Sequence, residues 1–224
     1  MADGQGHVIQ LGDRDCSIQR RNQKLLEETP SPSVSPETRS RLIEAGILAA
    51  KAVGYVNAGT VEFLMDESGN FYYMEMNVRL QVEHAVTELV TGIDMVKWQI
   101  RIAAGVHLDF GQADIRFRGS SIECRINAKA SGKVNFLHIP GGPFVRFDTC
   151  LWDGYVVPPY YDSLLGKLVV QAGTREEAVR KMRAALCELV IDGVPNNIED
   201  QIAIIDSQDF RKGTYNLNFF QNAR

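Results

Sequence analysis

The 224-residue chain sets 24 Lys and Arg against 28 Asp and Glu, for a formal charge of −4 and a pI near 5.6. That balance excludes the basic footprint of a nucleic-acid binder, and no basic run marks a membrane surface. With 45% hydrophobic residues it can build one large core or two small ones. No apolar run reaches about 18 residues and no signal peptide opens the chain. Cys16, Cys124, Cys150 and Cys187 are too widely spaced for a thiolate metal site, so reduced thiols, small-molecule or protein partners and a cytoplasmic location are expected.

In chain order, the first expected element is a strand at about residues 7 to 11, with nothing ahead of it to pair with, so the sequence reads as starting inside a larger fold. A second extended run is expected through Ser17 to Glu27, with Gln19, Arg21 and Gln23 on one face and Arg20, Asn22 and Lys24 on the other. The linker TPSPSVSP at 29–36 ends in a helix start, with Ser35 as N-cap and Pro36 at the first helical position. This helix is expected to reach about Val53, stop at Gly54, and pack through Leu42, Ile43, Ala45, Ile47 and Leu48.

Residues 58–84, AGTVEFLMDESGNFYYMEMNVRLQVEH, hold the densest chemistry. Period-2 alternation on both sides of ESGN predicts a hairpin with Glu67 to Asn70 as its loop. In that register Asp66 faces Phe71, Leu64 faces Tyr73, Glu62 faces Glu75 and Thr60 faces Asn77. Two carboxylates about 5 Å apart at an effective dielectric of about 20 repel by roughly 3 kcal/mol. A cation would offset this, and oxygen donors from Glu62, Glu75 and Asn77 suit Mg²⁺; the alternative is a solvated hairpin with both acids in water. Arg79, Gln81 and Glu83 follow at alternate positions of an expected extended segment. They bring a guanidinium fork, an amide and a base next to the metal ligands, although such a run is also what a charged edge strand looks like.

Beyond this stretch, short helices are expected at His84 to Val90 and, capped by Asp94, at 94–104, where Trp98, Ile100 and Ile102 read as core. His84 and Glu88 have zinc-compatible spacing but no third ligand. A boundary falls at about 105–120. After it come a strand at Ser121 to Asn127 with Glu123, Arg125 and Asn127 on one face, a Pro158 to Lys167 turn expected to form a buried polar corner, and a helix from Arg175 to Leu189. That helix has a Thr174/Glu177 capping box and an inward face of Val179, Met182, Leu186 and Leu189. A last helix spans about 197–205, followed by the tail TYNLNFF.

The run MEMNVRLQVEHAVTELVTGID resembles the signature of biotin carboxylases, the ATP-grasp component of biotin-dependent carboxylases. So do RDCSIQRRNQKLLEETPSP at 14–32, ECRINA at 123–128, IPGG at 139–142 and GYVVPPYYDSLLGKL at 154–168. The resemblance implies an α+β fold, with residues 1–112 as the C-terminal part of an ATP-grasp domain and residues 113–224 as a mixed α/β biotin carboxylase C-terminal domain. It further implies Mg²⁺ or Mn²⁺ on Glu62, Glu75 and Asn77, and ATP contacts from Gln19, Asn22, Glu62, Glu75 and Leu217. Bicarbonate and biotin would be held by Lys24, Arg79, Gln81, Val82 and Arg125, with Arg79, Glu83 and Arg125 as catalytic residues.

The implied reaction uses ATP and bicarbonate to carboxylate biotin on a carrier protein through carboxyphosphate, as the first half-reaction of acetyl-CoA carboxylase. A carboxyltransferase would be a partner and the full-length enzyme a homodimer. Two departures stand out. Asn22 replaces the histidine usual in the family, as in urea carboxylases, and KASGK at 129–133 is shorter than the family's loop. Arg146 matches a position near the family's dimer interface. Neither the glycine-rich phosphate loop nor the nucleotide lysines ahead of it occur here, so the chain alone is expected to be inactive. Open alternatives are a urea, pyruvate or propionyl-CoA carboxylase parent and a non-catalytic dimerisation module; carbamoyl phosphate synthetase is disfavoured because that family lacks RLQVEH.

Overall fold

The computed structural model describes residues 1–222. Its elements are β1 (Asp15–Arg20), β2 (Gln23–Thr29), α1 (Pro36–Ala52), β3 (Thr60–Met65), β4 (Phe71–Asn77), α2 (His84–Thr91), α3 (Met95–Ala103), β5 (Ser120–Asn127), β6 (Gly132–Lys133) and β7 (Phe136–His138). They continue with β8 (Val145–Thr149), β9 (Val156–Val157), β10 (Leu164–Ala172), α4 (Arg175–Glu188), β11 (Val190–Asp192), α5 (Ile198–Asp206), α6 (Gln208–Lys212) and α7 (Phe219–Asn222). Among the described residues no helix is long and apolar enough to cross a membrane.

Two compact units divide the chain. One comprises Met1–Arg14 with Pro30–Arg118, the other Asp15–Thr29 with Gly119–Arg224. Each has its own core, since Ile9, Leu11, Ala58, Met95, Trp98, Ile102, Leu108 and Ile115 cluster in the first, and Ile18, Leu26, Ile122, Cys124, Leu168, Met182, Leu186 and Ile205 belong to the larger cluster of the second.

In the first unit, helix starts obey local chemistry. Ser35 accepts from the Thr38 amide with Pro36 in the first turn, and Asp94 accepts from the Lys97 amide, so each satisfies an orphan donor of its helix. The expected strand at 7–11 is not one: Val8 makes a single bridge to Ala2, while Ile9 and Leu11 turn into the core. Without a neighbouring strand a full ladder cannot form, and burial fixes the segment instead. On α1 only Thr38 and Ala50 are buried and Leu48 is 59% exposed, so the expected apolar stripe is at most half covered. Ile100 is exposed as well, because the 3.6-residue period that buries Met95, Trp98 and Ile102 turns it outward.

The second unit is built on a five-stranded antiparallel sheet ordered β1-β2-β5-β10-β8. Leu26, Cys124 and Leu168 line up across it as neighbours, and α4 packs its buried Val179, Met182 and Leu186 into the same core. Thr174 caps α4 through the Glu177 amide. The expected single run from Ser17 to Glu27 is a hairpin: Arg21 and Asn22 have φ of 53° and 63°, and Arg20 pairs with Gln23. Two successive left-handed residues make a two-residue turn whose twist matches the strands. Asn at the second position tolerates that conformation better than most side chains. Tyr160 and Tyr161 are 86% and 83% exposed rather than forming a buried corner, since their turn lies outside the ladder that begins at Leu164.

Candidate functional site: a two-carboxylate hairpin

In the first unit β3 and β4 pair as Thr60 with Asn77 and Glu62 with Glu75, the pairs expected from the hairpin register. Farther toward the turn the register differs. Leu64 faces Tyr72, and Met65 rather than Asp66 faces Phe71, because a bulge interrupts the ladder after Glu62. Asp66 is drawn out of the strand into the loop, where its carboxylate accepts from the backbone amides of Ser68 and Asn70 and from the Asn70 side chain. These bonds hold the Asp66 carboxyl below its ordinary value.

The two acids share one hydrogen-bond donor. Asn77 Nδ2 donates to Glu62 Oε1 at 3.2 Å and to Glu75 Oε1 at 2.8 Å, and Gln81 Nε2 donates to Glu62 Oε1 at 2.5 Å. Gln81 Oε1 in turn accepts from Arg14 Nη2 at 2.8 Å. Amide protons therefore offset the repulsion that the opposed carboxylates create. Among the described residues no group of three or more His, Cys, Asp or Glu is placed to hold a metal ion. The donor set here is two carboxylates and one amide, which turned about its last bond would present its oxygen; Mg²⁺ commonly takes one or two carboxylates and completes its shell with water and phosphate. The residues fit that ion.

The segment after β4 is not extended throughout. It bends at Val82 and Glu83 into α2, with the His84 amide donating to Gln81 O and His84 Nδ1 also donating to it at 2.8 Å. Gln81 and Glu83 are buried, whereas Arg79 is exposed, with Nη1 donating to Leu80 O at 3.3 Å. Glu88 accepts from the Met95 amide, so His84 and Glu88 serve the ends of α2.

In the second unit Gln19 and Lys24 are cross-strand partners on β1 and β2, and Gln19 Nε2 donates to Cys16 O. Asn22 sits in the turn between those strands. Arg125 on β5 is pinned by buried Glu27, its Nε donating to Glu27 Oε1 at 2.6 Å, and Glu27 is the cross-strand partner of equally buried Glu123. Burial, with Glu27 and Glu123 adding to it, raises the Cys124 thiol well above its ordinary value. On the other side of the sheet Glu28 takes two bonds from Arg175 and one from the Tyr215 hydroxyl. Leu217 is 52% exposed.

Comparison with known proteins then places the chain. Residues 1–110 match the family model described as the carbamoyl-phosphate synthase L chain, ATP binding domain, and residues 123–222 match the biotin carboxylase C-terminal domain. Biotin carboxylase 2, chloroplastic, of Populus trichocarpa is 50% identical over 98% of this chain and 43% of its own. The 2-oxoglutarate carboxylase small subunit of Hydrogenobacter thermophilus is 49% identical over 99% and 48%. The crystal structure of the biotin carboxylase domain dimer of that same carboxylase, in complex with MgADP, ADP and bicarbonate, superposes with a TM-score of 0.96 at 49% identity, covering 99% of this chain and 51% of that one.

The chain belongs to the biotin carboxylase family. It spans about half the length of the relatives it matches, and its fold is α+β, matching an ATP-grasp part followed by the biotin carboxylase C-terminal domain. Two site neighbours escape a reading of the sequence. Arg14 precedes a strand like any surface arginine, and nothing local announces that it reaches Gln81. Glu27 carries a faint signal, since an acid next to Leu25 and Leu26 in a strand calls for a buried partner.

Proposed function

We propose that the chain is the C-terminal portion of a biotin carboxylase, which uses ATP, Mg²⁺ or Mn²⁺ and bicarbonate to carboxylate biotin on a carrier protein. The observation that carries this reading is that Glu62 and Glu75 share the Asn77 amide while Gln81 donates to Glu62 as well. Glu62, Glu75 and Asn77 would hold the divalent ion, which supplies charge neutralisation at the phosphates. Buried Glu83 accepts the bicarbonate proton, and Arg79, the Gln81 amide and the Val82 N–H orient the anion.

In the second unit Lys24 is assigned to bicarbonate and Arg125 to the biotin ureido group; in the first, Arg79 is assigned to stabilise negative charge on the ureido oxygen. Gln19, Asn22 and Leu217 are assigned to the nucleotide. Residues 1–112 are assigned to the ATP-grasp portion and residues 113–224 to the C-terminal domain, although the compact unit of the latter also takes in Asp15–Thr29 and resumes at Gly119. The further assignments are a cytoplasmic acetyl-CoA carboxylase as parent, a homodimer that includes the rest of the enzyme, a biotinylated carrier and a carboxyltransferase as partners, and little turnover by the 224-residue chain alone.

The test is fixation of ¹⁴C-bicarbonate into biotin, with ATP, by this chain and by the chain joined to the N-terminal half of a relative. Biotin- and ATP-dependent fixation by the joined protein, lost on Glu62→Gln, supports the reading. A folded joined protein that fixes no carbonate refutes it.

A further inference from the structure

Arg14 ends the first segment of the first unit, and its guanidinium is held by oxygens from three separate places. Nη2 donates to Thr60 Oγ1 on β3 at 2.7 Å and to Gln81 Oε1 at 2.8 Å, and Nη1 donates to Thr87 Oγ1 on α2 at 3.1 Å. None of the three is charged. Gln81 is buried, with its main-chain carbonyl engaged by the backbone and ring of His84. A primary amide is nearly symmetric in shape, so burial alone would not fix which of its ends faces the acids. Arg14 and Glu62 break the symmetry from opposite ends. Arginine only donates, so the amide end beside it must be oxygen, and the end beside Glu62 must be nitrogen.

We propose that Arg14 is a positioning residue for the two-carboxylate site: by capturing Gln81 Oε1 it leaves Gln81 only N–H groups to present, so that this position reads a hydrogen-bond acceptor, a small oxyanion. One Nε2 hydrogen goes to Glu62 and the second remains for the ligand. Identification of that oxyanion as bicarbonate rests on the carboxylase reading; the orientation of the amide does not. The rigid fork matters as much as the charge, since one planar group spans Thr60, Thr87 and Gln81 together, which a lysine ammonium on a flexible stem cannot do equally well.

The experiment follows the Gln81 side-chain NH₂ pair by ¹⁵N NMR in the 224-residue chain, with the pair assigned by its loss in Gln81→Glu. In the parent chain the two protons should be resolved and slow to exchange. Arg14→Met should speed exchange about tenfold, as expected for losing a hydrogen bond to a charged group, and Arg14→Lys should fall between. Thr87→Val removes another Arg14 partner and serves as the control for simple loosening; it should leave the Gln81 signals in place. Unchanged Gln81 signals in folded Arg14→Met, or equal changes in Arg14→Met and Thr87→Val, would overturn the proposal. In the joined enzyme, Arg14→Met should raise the KM for bicarbonate more than it lowers kcat. Absence of carboxylation in the unsubstituted joined enzyme would count against the carboxylase reading alone, because the amide signals decide the role of Arg14 without substrate.

Discussion

Glu62 and Glu75 face each other across an antiparallel pair and accept hydrogen bonds from a single nitrogen, Nδ2 of Asn77. Removing that donor should leave Glu75 without its amide bond and the repulsion offset only at Glu62, by Gln81. Asn77→Leu should destabilise the hairpin by about 1–2 kcal/mol, read by urea unfolding. Added Mg²⁺ should raise the melting temperature of the parent chain more than that of Glu62→Gln or Glu75→Gln, because a ligand bound only by the folded state stabilises it. Equal increments in all three proteins would remove the cation from this pair.

Arg79 is exposed and bonded only weakly to its neighbour's carbonyl, so it is available to an anion without being needed for the fold. In the joined enzyme Arg79→Ala should abolish biotin carboxylation with little change in ATP affinity. Equal losses in both would refute its assigned role.

The loop of the hairpin should respond to acid. Asn70, through its side chain and backbone amide, and the Ser68 amide hold the Asp66 carboxyl below its ordinary value of 3.8. A depressed carboxylate contributes stability fully above its unfolded value and loses it as pH falls through the folded one. The Asn70 side-chain amide signal should therefore be constant at neutral pH and collapse only below pH 3.8. A change centred near neutrality would contradict this.

Glu28 is fully buried, and burial pushes its carboxyl upward against the hydrogen bonds from Arg175 and Tyr215. Arg175→Leu leaves an unpaired buried acid and should cost about 3–5 kcal/mol, whereas Tyr215→Phe removes one donor and should cost about 1–2 kcal/mol. The two effects should be non-additive in a double-mutant cycle, since both act on one carboxylate.

Gly193 has φ of +85°, and a Cβ there would stand 2.2 Å from Lys133 O and 2.6 Å from Asn135 Nδ2. Gly193→Ala should cost about 3 kcal/mol from strain and overlap together, measured by thermal unfolding. A near-neutral substitution would mean that the short loop ending at Lys133 can move aside.

What the sequence discloses here is chemistry with a short reach. Ser35, Asp94 and Thr174 announce their helices because a cap acts within three residues, whereas the Glu62/Glu75 pairing needs alternation and an expected four-residue turn, whose one-residue error the bulge after Glu62 cancels. The Arg21–Asn22 turn goes unseen because neither residue is the glycine that usually signals it, and the register slips beyond Glu62 because a bulge leaves no mark on hydrophobic alternation. Ile100 and Leu48 mislead since an apolar side chain does not say which neighbour covers it. Arg14 is invisible for a similar reason: its three acceptors are 46, 67 and 73 residues away in the chain.

The β1–β2 hairpin belongs to the second unit although first-unit sequence flanks it on both sides, which makes the polypeptide an interleaved construction. Cleaving it after Arg118 would not release two self-sufficient halves. The downstream piece would lose the strand that pairs with β5 and the glutamate that anchors Arg175, and the upstream piece would keep a hairpin with no sheet to join. Dissection, circular permutation or splitting of this protein into reporter fragments has to carry residues 15–29 along with the downstream body.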